Sequence, residues 1–359
     1  MLKTVRIGII GSGFARRVQI PAFLKCGGVE VVSIASRSLE NAGSTANEFG
    51  IGHFTDDWRE TVSLNEIDLV CITTPPDLHC EMTLAALASG KSVLCEKPMA
   101  MNWAEAEKMT QAAEESGCLA LIDFELRFQP GRQAAYQMLR AGLLGKIRHA
   151  KWNFRAPHRG DPDLPWTWWS DQARGGGALG AIGSHVIDSF HWLLGTRVNS
   201  VFCQLQSQIK KRPYGESIRD VTSDDEVLMS LRFADSDFTE DATGSVSISM
   251  VEPPTYMNRI EVFGTAGALR IDHRGDVYLS RDCRAAWERV NTPLGKNLPR
   301  MQDTGFPRAF REFAKILVGA IRDGNHQFEH APTFTDGSEV QRVLDAARRS
   351  DRLRKAIDL

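Results

Sequence analysis

The first residues in the chain whose types and spacing could do chemistry are Gly8-Ile9-Ile10-Gly11-Ser12-Gly13-Phe14-Ala15-Arg16. A tight turn needs Gly11, and Gly13 lets backbone approach a pyrophosphate whose charge sits at a helix N-terminus. Phe14 and Ala15 open that helix and belong to the same candidate nucleotide contact. Arg16 stands where a third glycine usually lies. A GxG pair alone is weak; its place at the first strand–helix junction makes it a dinucleotide signal. The second apolar run ends Ile34-Ala35-Ser36-Arg37-Ser38. NAD sites usually place an acid here for the ribose 2′-hydroxyl. The Ser36 hydroxyl and Arg37 guanidinium instead suit a 2′-phosphate, so NADP is favoured over NAD. The alternative for Arg37 is a solvated loop side chain.

Further along, Pro165-Trp166-Thr167-Trp168-Trp169-Ser170-Asp171-Gln172-Ala173-Arg174 concentrates aromatic and charged groups. They either line a sugar pocket, with Trp169 and Arg174 as the contacts, or pin a long loop to the core. Asp224-Asp225 reads as a strand-end pair. His79, near a helix start, is either structural or supports the cofactor site from behind.

The elements that must position these groups follow from periodicity. Val5–Ile10, Val29–Ala35, Asp68–Ile72, Ser92–Cys95 and Leu119–Ile122 are short apolar runs, as strands covered on both faces of a parallel sheet should be. Helical stretches at about 15–26, 38–48, 77–89 and 102–116 alternate with them. Gly27, Gly50, Gly90 and Gly117 follow as left-handed caps. The alternation predicts a doubly wound α/β Rossmann domain. After Arg127 the texture changes. Helices are predicted near 131–142 and 178–194, a loop at 156–177, and strands near 146–155, 198–208, 225–234, 243–251, 258–263, 267–272 and 276–280. Alternation such as Ser245-Val246-Ser247-Ile248 predicts a large, mostly antiparallel open sheet in an α+β second domain. Two amphipathic helices close the chain, one on Phe310, Phe313, Leu317 and Ile321, the other on Val340, Val343, Leu344 and Ala347. The expected domains are 1–123, nucleotide-binding, and 124–359, for substrate binding and oligomerisation.

Several motifs then line up. Thr73-Thr74-Pro75-Pro76-Asp77-Leu78-His79, Gly90-Lys91-Ser92-Val93-Leu94-Cys95-Glu96-Lys97-Pro98, Phe124-Glu125-Leu126-Arg127-Phe128 and Gly175-Gly176-Gly177-Ala178-Leu179-Gly180-Ala181-Ile182-Gly183-Ser184-His185 together resemble the glucose-fructose oxidoreductase / inositol dehydrogenase / MocA family. The resemblance implies two domains with the active site in the cleft between them. It also implies hydride transfer between nicotinamide C4 and a secondary alcohol or ketone of a sugar- or cyclitol-like substrate. Lys97 and His185 would be the catalytic pair. Thr73, Thr74, Pro75, His79, Glu96 and Lys97 would face the cofactor, and Arg127 its nicotinamide end, unless Arg127 forms an interdomain salt bridge. An imidazole that titrates near neutrality can take or return the hydroxyl proton, and an ammonium can stabilise a developing alkoxide. The family's aspartate four residues before the histidine is Ala181 here. Glu125 and Asp188 are the carboxylates that could substitute toward substrate; Asp188 reads equally as a helix-packing group.

Composition narrows the classes. The 359 residues carry 43 basic and 45 acidic side chains, so neither a nucleic-acid nor a membrane surface is expected. Cysteines 26, 71, 80, 95, 118, 203 and 283 are scattered, which fits a reducing cytoplasm and neither a disulfide frame nor a metal site. The expected partners are a small polyhydroxylated substrate and further copies of the chain, as a homodimer or homotetramer. Two other functions compete: a glycosidase that oxidises and re-reduces its sugar with a retained NAD, and an inactive nucleotide- or sugar-sensing protein, which Ala181 motivates.

Overall fold

The computed structural model describes residues 3–282, 284–299 and 301–359; Cys283 lies outside them. The chain divides into two compact units, Met1–Glu125 with Lys296–Gln302 and Phe306–Ser338, and Leu126–Gly295 with Asp303–Gly305 and Glu339–Leu359.

The first unit is built on β1 (Val5–Ile10), β2 (Val29–Ala35), β3 (His53–Thr55), β4 (Leu69–Ile72), β5 (Ser92–Cys95) and β6 (Ala120–Ile122). They form an all-parallel sheet in the order β3-β2-β1-β4-β5-β6. That is the doubly wound order, whose direction reverses between β1 and β4 and opens a crevice at the strand C-termini. Val5, Ile7, Ile9, Leu69, Val70, Cys71 and Ile72 are wholly buried, as two-sided covering requires. A π-helical turn, Ala15–Gln19, runs into α1 (Ile20–Phe23); α2 (Leu39–Phe49), α3 (Trp58–Ser63), α4 (His79–Ala88) and α5 (Trp103–Ser116) follow. Ser38 and Asn102 cap α2 and α5, accepting from Asn41 N–H and Glu105 N–H. Gly50 and Gly117 end them in the left-handed conformation.

Two local expectations need correction here. The first helix stops at Phe23 rather than near 26, because the Leu24 amide tightens onto Ala22 O and Ile20 O, and Gly28 instead of Gly27 takes the positive φ. β3 and α3 were not expected: three residues of strand and six of helix are too short to show a period.

The second unit holds α6 (Pro130–Arg140), β7 (Ile147–Arg155), a π turn at Leu179–Gly183 that leads into α7 (Ser184–Leu194), β8 (Val198–Gln206), β9 (Lys211–Tyr214), β10 (Ser217–Asp220), β11 (Glu226–Phe233), β12 (Thr239–Ser249), β13 (Met257–Gly264), β14 (Ala268–Ile271), β15 (Val277–Ser280), β16 (Glu288–Val290) and β17 (Ile357–Asp358). Nine strands pair as β16-β15-β14-β13-β7-β12-β11-β8-β17, antiparallel except β7 with β12. In β11, Val227, Met229, Leu231 and Phe233 point to the core while Leu228 is 52% exposed on the other face. Trp152 at the sheet centre anchors the helices: the Arg132 guanidinium of α6 lies 4.9 Å over its ring and Phe190 of α7 meets it edge-on at 5.9 Å. Between the expected strands 198–208 and 225–234 the chain folds as the separate hairpin β9–β10, which was not expected. The closing helices are α8 (Phe306–Asp323) and α9 (Phe334–Leu353); α8 packs on β1, α1 and the first π turn, with Phe310 edge-on to Phe23 at 5.5 Å.

Two glycines test this packing in opposite directions. A Cβ on Gly131 would stand 1.8 Å from Gly275 O, whereas one on Gly319, inside α8, would meet nothing within 4 Å. Gly131→Ala is expected to lose about 2–3 kcal/mol through overpacking, and Gly319→Ala to gain about 0.5–1 kcal/mol from helix propensity. Chemical denaturation of both variants checks the pair.

Candidate active site

The strand C-termini of the first unit carry most of the candidate residues. Gly11 sits at φ 103°, and a Cβ there would lie 2.6 Å from Thr73 O. The two turns are sewn together: Thr73 N–H donates to Ile10 O at 2.7 Å, Thr73 Oγ1 to Gly11 O at 2.6 Å, and Gly11 N–H to Ala35 O at 2.8 Å. Gly13 is exposed, with open space where a side chain would be. Ser12 and Ser36 hydroxyls meet at 3.2 Å, and Arg37 is exposed and pairs with no carboxylate among the described residues. Phe14 turns its ring edge-on to Phe310 at 6.4 Å and fixes the start of the π turn that contains Ala15. Thr74 and Pro75 are half-buried on the segment that leads to α4.

Glu96, Lys97 and Pro98 follow β5 directly, and the Lys97–Pro98 bond is cis. His79, wholly buried at the start of α4, holds this turn to the one after β4. Its Nδ1 is 3.0 Å from Pro98 O and its Nε2 2.9 Å from Thr74 O. Burial draws its pKa down, against the carbonyls, so the imidazole is neutral and donates to one of them at a time. Below Lys97 lies a group of buried polar side chains. Glu96 is 8% exposed, Asp123 1%, Glu125 2% and Gln19 0%. Gln19 Nε2 donates to Glu96 Oε1 at 3.2 Å and to Asp123 Oδ2 at 3.1 Å.

In the second unit, Gly175-Gly176-Gly177 thread the chain between two walls. A Cβ on Gly176 would strike Trp169 O at 2.4 Å; one on Gly177, at φ 116°, would strike Asp224 Oδ1 at 2.4 Å. Asp224 reaches over to cap the helix that carries His185. Its Oδ2 accepts from Leu179 N–H at 2.6 Å and its backbone O from Ala178 N–H at 2.9 Å. Asp225 is equally committed, with its two oxygens accepting from Gln208 N–H and Ile209 N–H at 2.6 and 3.0 Å. His185 is 1% exposed in the first turn of α7. Three residues on, Asp188 takes the Arg127 guanidinium in a forked pair, Nε at 3.1 Å from both oxygens and Nη2 at 2.5 Å from one. Trp169 has the Arg159 guanidinium 4.3 Å over one face of its ring, and Arg174 is half-buried in the last 3₁₀ turn before the glycines.

Residues 5–124 match the model of an oxidoreductase family with an NAD-binding Rossmann fold, and 132–270 match the GFO/IDH/MocA C-terminal domain. An uncharacterized oxidoreductase of Synechocystis sp. is 31% identical, over 96% of this chain and 93% of its own length. The chain belongs to the Gfo/Idh/MocA oxidoreductase family. Levoglucosan dehydrogenase of Pseudarthrobacter phenanthrenivorans is 27% identical over 96% of this chain and 95% of its own. A levoglucosan dehydrogenase solved in complex with NADH and levoglucosan has a TM-score of 0.88 at 27% identity, covering 99% of both chains.

For a Gfo/Idh/MocA oxidoreductase the first unit fits a dinucleotide: the open face of Gly13 admits a pyrophosphate where a side chain would block it. Among the described residues no group of ligating side chains could hold a metal, and no helix is long and apolar enough to cross a membrane. The structure brings Gln19 and Asp123, which sequence reasoning missed, onto Glu96 beside Lys97. Asp123 had a signal: it is a lone carboxylate inside the apolar run Leu119–Phe124. Gln19 had none, since one amide on a helix is uninformative.

Burial pushes the Asp224 carboxyl up to about 6 from 3.8. A raised folded pKa means its contribution to stability is whole below about pH 4 and is lost as pH rises through 6. Asp224→Asn keeps an acceptor for Leu179 N–H and does not ionise. The stability of Asp224→Asn relative to the parent should therefore climb by about 2–3 kcal/mol between pH 4 and pH 7.5, read from denaturation midpoints across that range. A flat difference would mean that Asp224 is not a buried charge.

Proposed function

We propose that this protein transfers a hydride between a nicotinamide dinucleotide and a secondary alcohol or ketone of a small, polyhydroxylated, sugar- or cyclitol-like substrate, with NADP favoured over NAD. The observation that carries the reading is Lys97's position. It leaves the C-terminal end of β5, two strands from the Gly11 turn, in a chain whose relative levoglucosan dehydrogenase is solved with NADH and its sugar. Two strand spacings are about 10 Å, a span that a dinucleotide with its pyrophosphate at Gly11–Gly13 covers.

A nicotinamide dinucleotide held at the Gly11–Gly13 turn would supply or take up the hydride. The chain's own groups handle the proton and the charge. His185 takes the hydroxyl proton as the alcohol is oxidised and returns it in reduction, and the Lys97 ammonium donates to the oxygen as charge builds there. Gly11, Gly13, Phe14 and Ala15 hold the pyrophosphate through backbone. Thr73, Thr74 and Pro75 floor the nicotinamide side, with Glu96 behind Lys97 and His79 bracing both turns. Ser36 and Arg37 take the 2′-phosphate. Trp169, Arg174 and Glu125 are the substrate contacts. Arg127 and Asp188 satisfy each other's charge, so they act by fixing α7, and with it His185. In this reading residues 1–123 are the nucleotide-binding domain and 124–359 the substrate and assembly domain, and the buried free thiols Cys71, Cys95 and Cys203 suit the cytoplasm. A second copy of the chain covers the exposed sheet face, where Phe202 and Leu228 stand among Gln204, Ser230 and Ser245 on adjoining strands.

Three variants test this with steady-state kinetics and mass measurement. Lys97→Ala should lower kcat about 100- to 1,000-fold; a kcat within about twofold of the parent would remove Lys97 from the chemistry. Arg37→Ala should raise KM for NADP about 10- to 100-fold and leave that for NAD nearly unmoved. Leu228→Arg should turn the oligomer into monomers by light scattering, and an unchanged mass would place the subunit interface elsewhere.

A further inference from the structure

Asp123 has no role in the chemistry above, yet it is buried against Glu96 in the first unit. Two carboxyls leave neighbouring strands, β5 and β6, at the same end of the sheet. Both are more than nine-tenths buried, and one amide, Gln19 Nε2, donates to each. Glu96 Oε2 also accepts from Lys97 N–H at 3.3 Å. Asp123 Oδ1 and Gln19 Oε1 meet no partner among the described residues.

Two adjacent carboxylates sealed from water cannot both be ionised, because each charge disfavours the other and neither is solvated. Among the described residues, the charged and titratable groups that act most on the pair are Lys97 after β5, Glu125 after β6, and the thiols of Cys71 on β4 and Cys95 on β5. Lys97 is the one cation among these, and it neighbours Glu96. The asymmetry assigns the proton. Burial raises Glu96, and Lys97, the Lys97 amide and Gln19 draw it back down. Asp123 is raised well above the usual range by burial, by Glu96 and by Glu125.

We propose that Asp123 is a positioning residue: its protonated carboxyl donates to the Glu96 carboxylate, so that the pair carries one negative charge beside Lys97 and fixes that turn at the reacting oxygen. The inference rests on the role given to Lys97 above. It assigns Asp123 a function through Glu96 and Lys97, with no contact to substrate. A lone Glu96 in this setting would take up a proton and lose the charge it sets beside Lys97. A doubly ionised pair would leave Asp123 Oδ1 as a bare buried charge.

Infrared spectroscopy of the intact enzyme tests the proton directly. The parent should show a protonated-carboxyl stretching band at about pH 8, well above the Asp224 titration near 6, that moves on aspartate 13C labelling and disappears in Asp123→Asn. Kinetics then test the function. Asp123→Leu should lower kcat about tenfold at neutral pH, with recovery as pH rises and Glu96 ionises again. Asp123→Asn, which restores a donor to Glu96, should regain most of that loss. Absence of the band, or its survival in Asp123→Asn, overturns the proposal, and the comparison needs no variant beyond the isosteric one. Equal damage in the Leu and Asn variants overturns it too. Failure of the underlying reading looks different: Lys97→Ala would turn over like the parent while the aspartate band stayed in place.

Discussion

The contact between the turn after β1 and the turn after β4 is the constraint on which the rest of the candidate site depends. Gly11 and Thr73 approach so closely that a Cβ at position 11 would overlap a carbonyl oxygen, and the Thr73 hydroxyl closes the gap with a 2.6 Å hydrogen bond. A parallel sheet whose winding reverses between these strands parts its helices there. The glycine lets the two turns close beneath that gap, so backbone N–H groups face outward at the head of the first π turn. Thr74, Pro75 and the His79 brace continue from Thr73 toward Pro98, so Lys97 is located by the same set of backbone contacts. A side chain at position 11 would disturb the candidate phosphate turn and the position of Lys97 together.

The same economy of space governs how each unit treats buried charge. In the second unit Asp224 is spent on the N-terminus of the helix that carries His185, and Asp188 on Arg127. Each buried ion there has its partner in hand, as interiors require. In the first unit Glu96 and Asp123 have one amide between them and a lysine at the edge, which is too little to neutralise two charges. The difference identifies which acids hold the frame and which is still free to bear on the chemistry. It also alters the meaning of Ala181. A chain without the family's aspartate beside its histidine keeps a carboxylate next to its lysine, supplied from β5 and tuned from β6.

Much of this was legible in the sequence. Val5–Ile10 and Val29–Ala35 coincide with strands because short, mostly apolar runs next to glycine have few other outcomes. The alternation in the expected strands 225–234 and 243–251 told which face of the large sheet is wet, although β12 begins four residues earlier, at Thr239. β3, α3 and the β9–β10 hairpin escaped because three- to six-residue elements carry no period. Arg127 was legible through the family resemblance, and Asp188 as a carboxylate three residues after His185. Their mutual pairing was not, since 61 positions of chain separate them and nothing local couples the two. Asp224 looked like a strand-end acid, and its partner, the Leu179 amide, lies 45 residues upstream.

The case of Asp123 shows where sequence reading can be pushed further. A carboxylate between Ile122 and Phe124, one residue beyond a strand with both faces covered, cannot point to bulk water without dragging apolar neighbours with it. It must therefore be protonated, paired or bound. The EKP turn supplies one candidate partner from the adjacent strand, since β5 and β6 are consecutive in sheet order and their ends coincide. Parallel pairing places Cys95 beside Ile122, so the residues just after each, Glu96 and Asp123, are neighbours by register alone. Register between adjacent parallel strands thus turns an isolated oddity of sequence into a predicted pair, and the chemistry of two buried carboxyls then demands a proton.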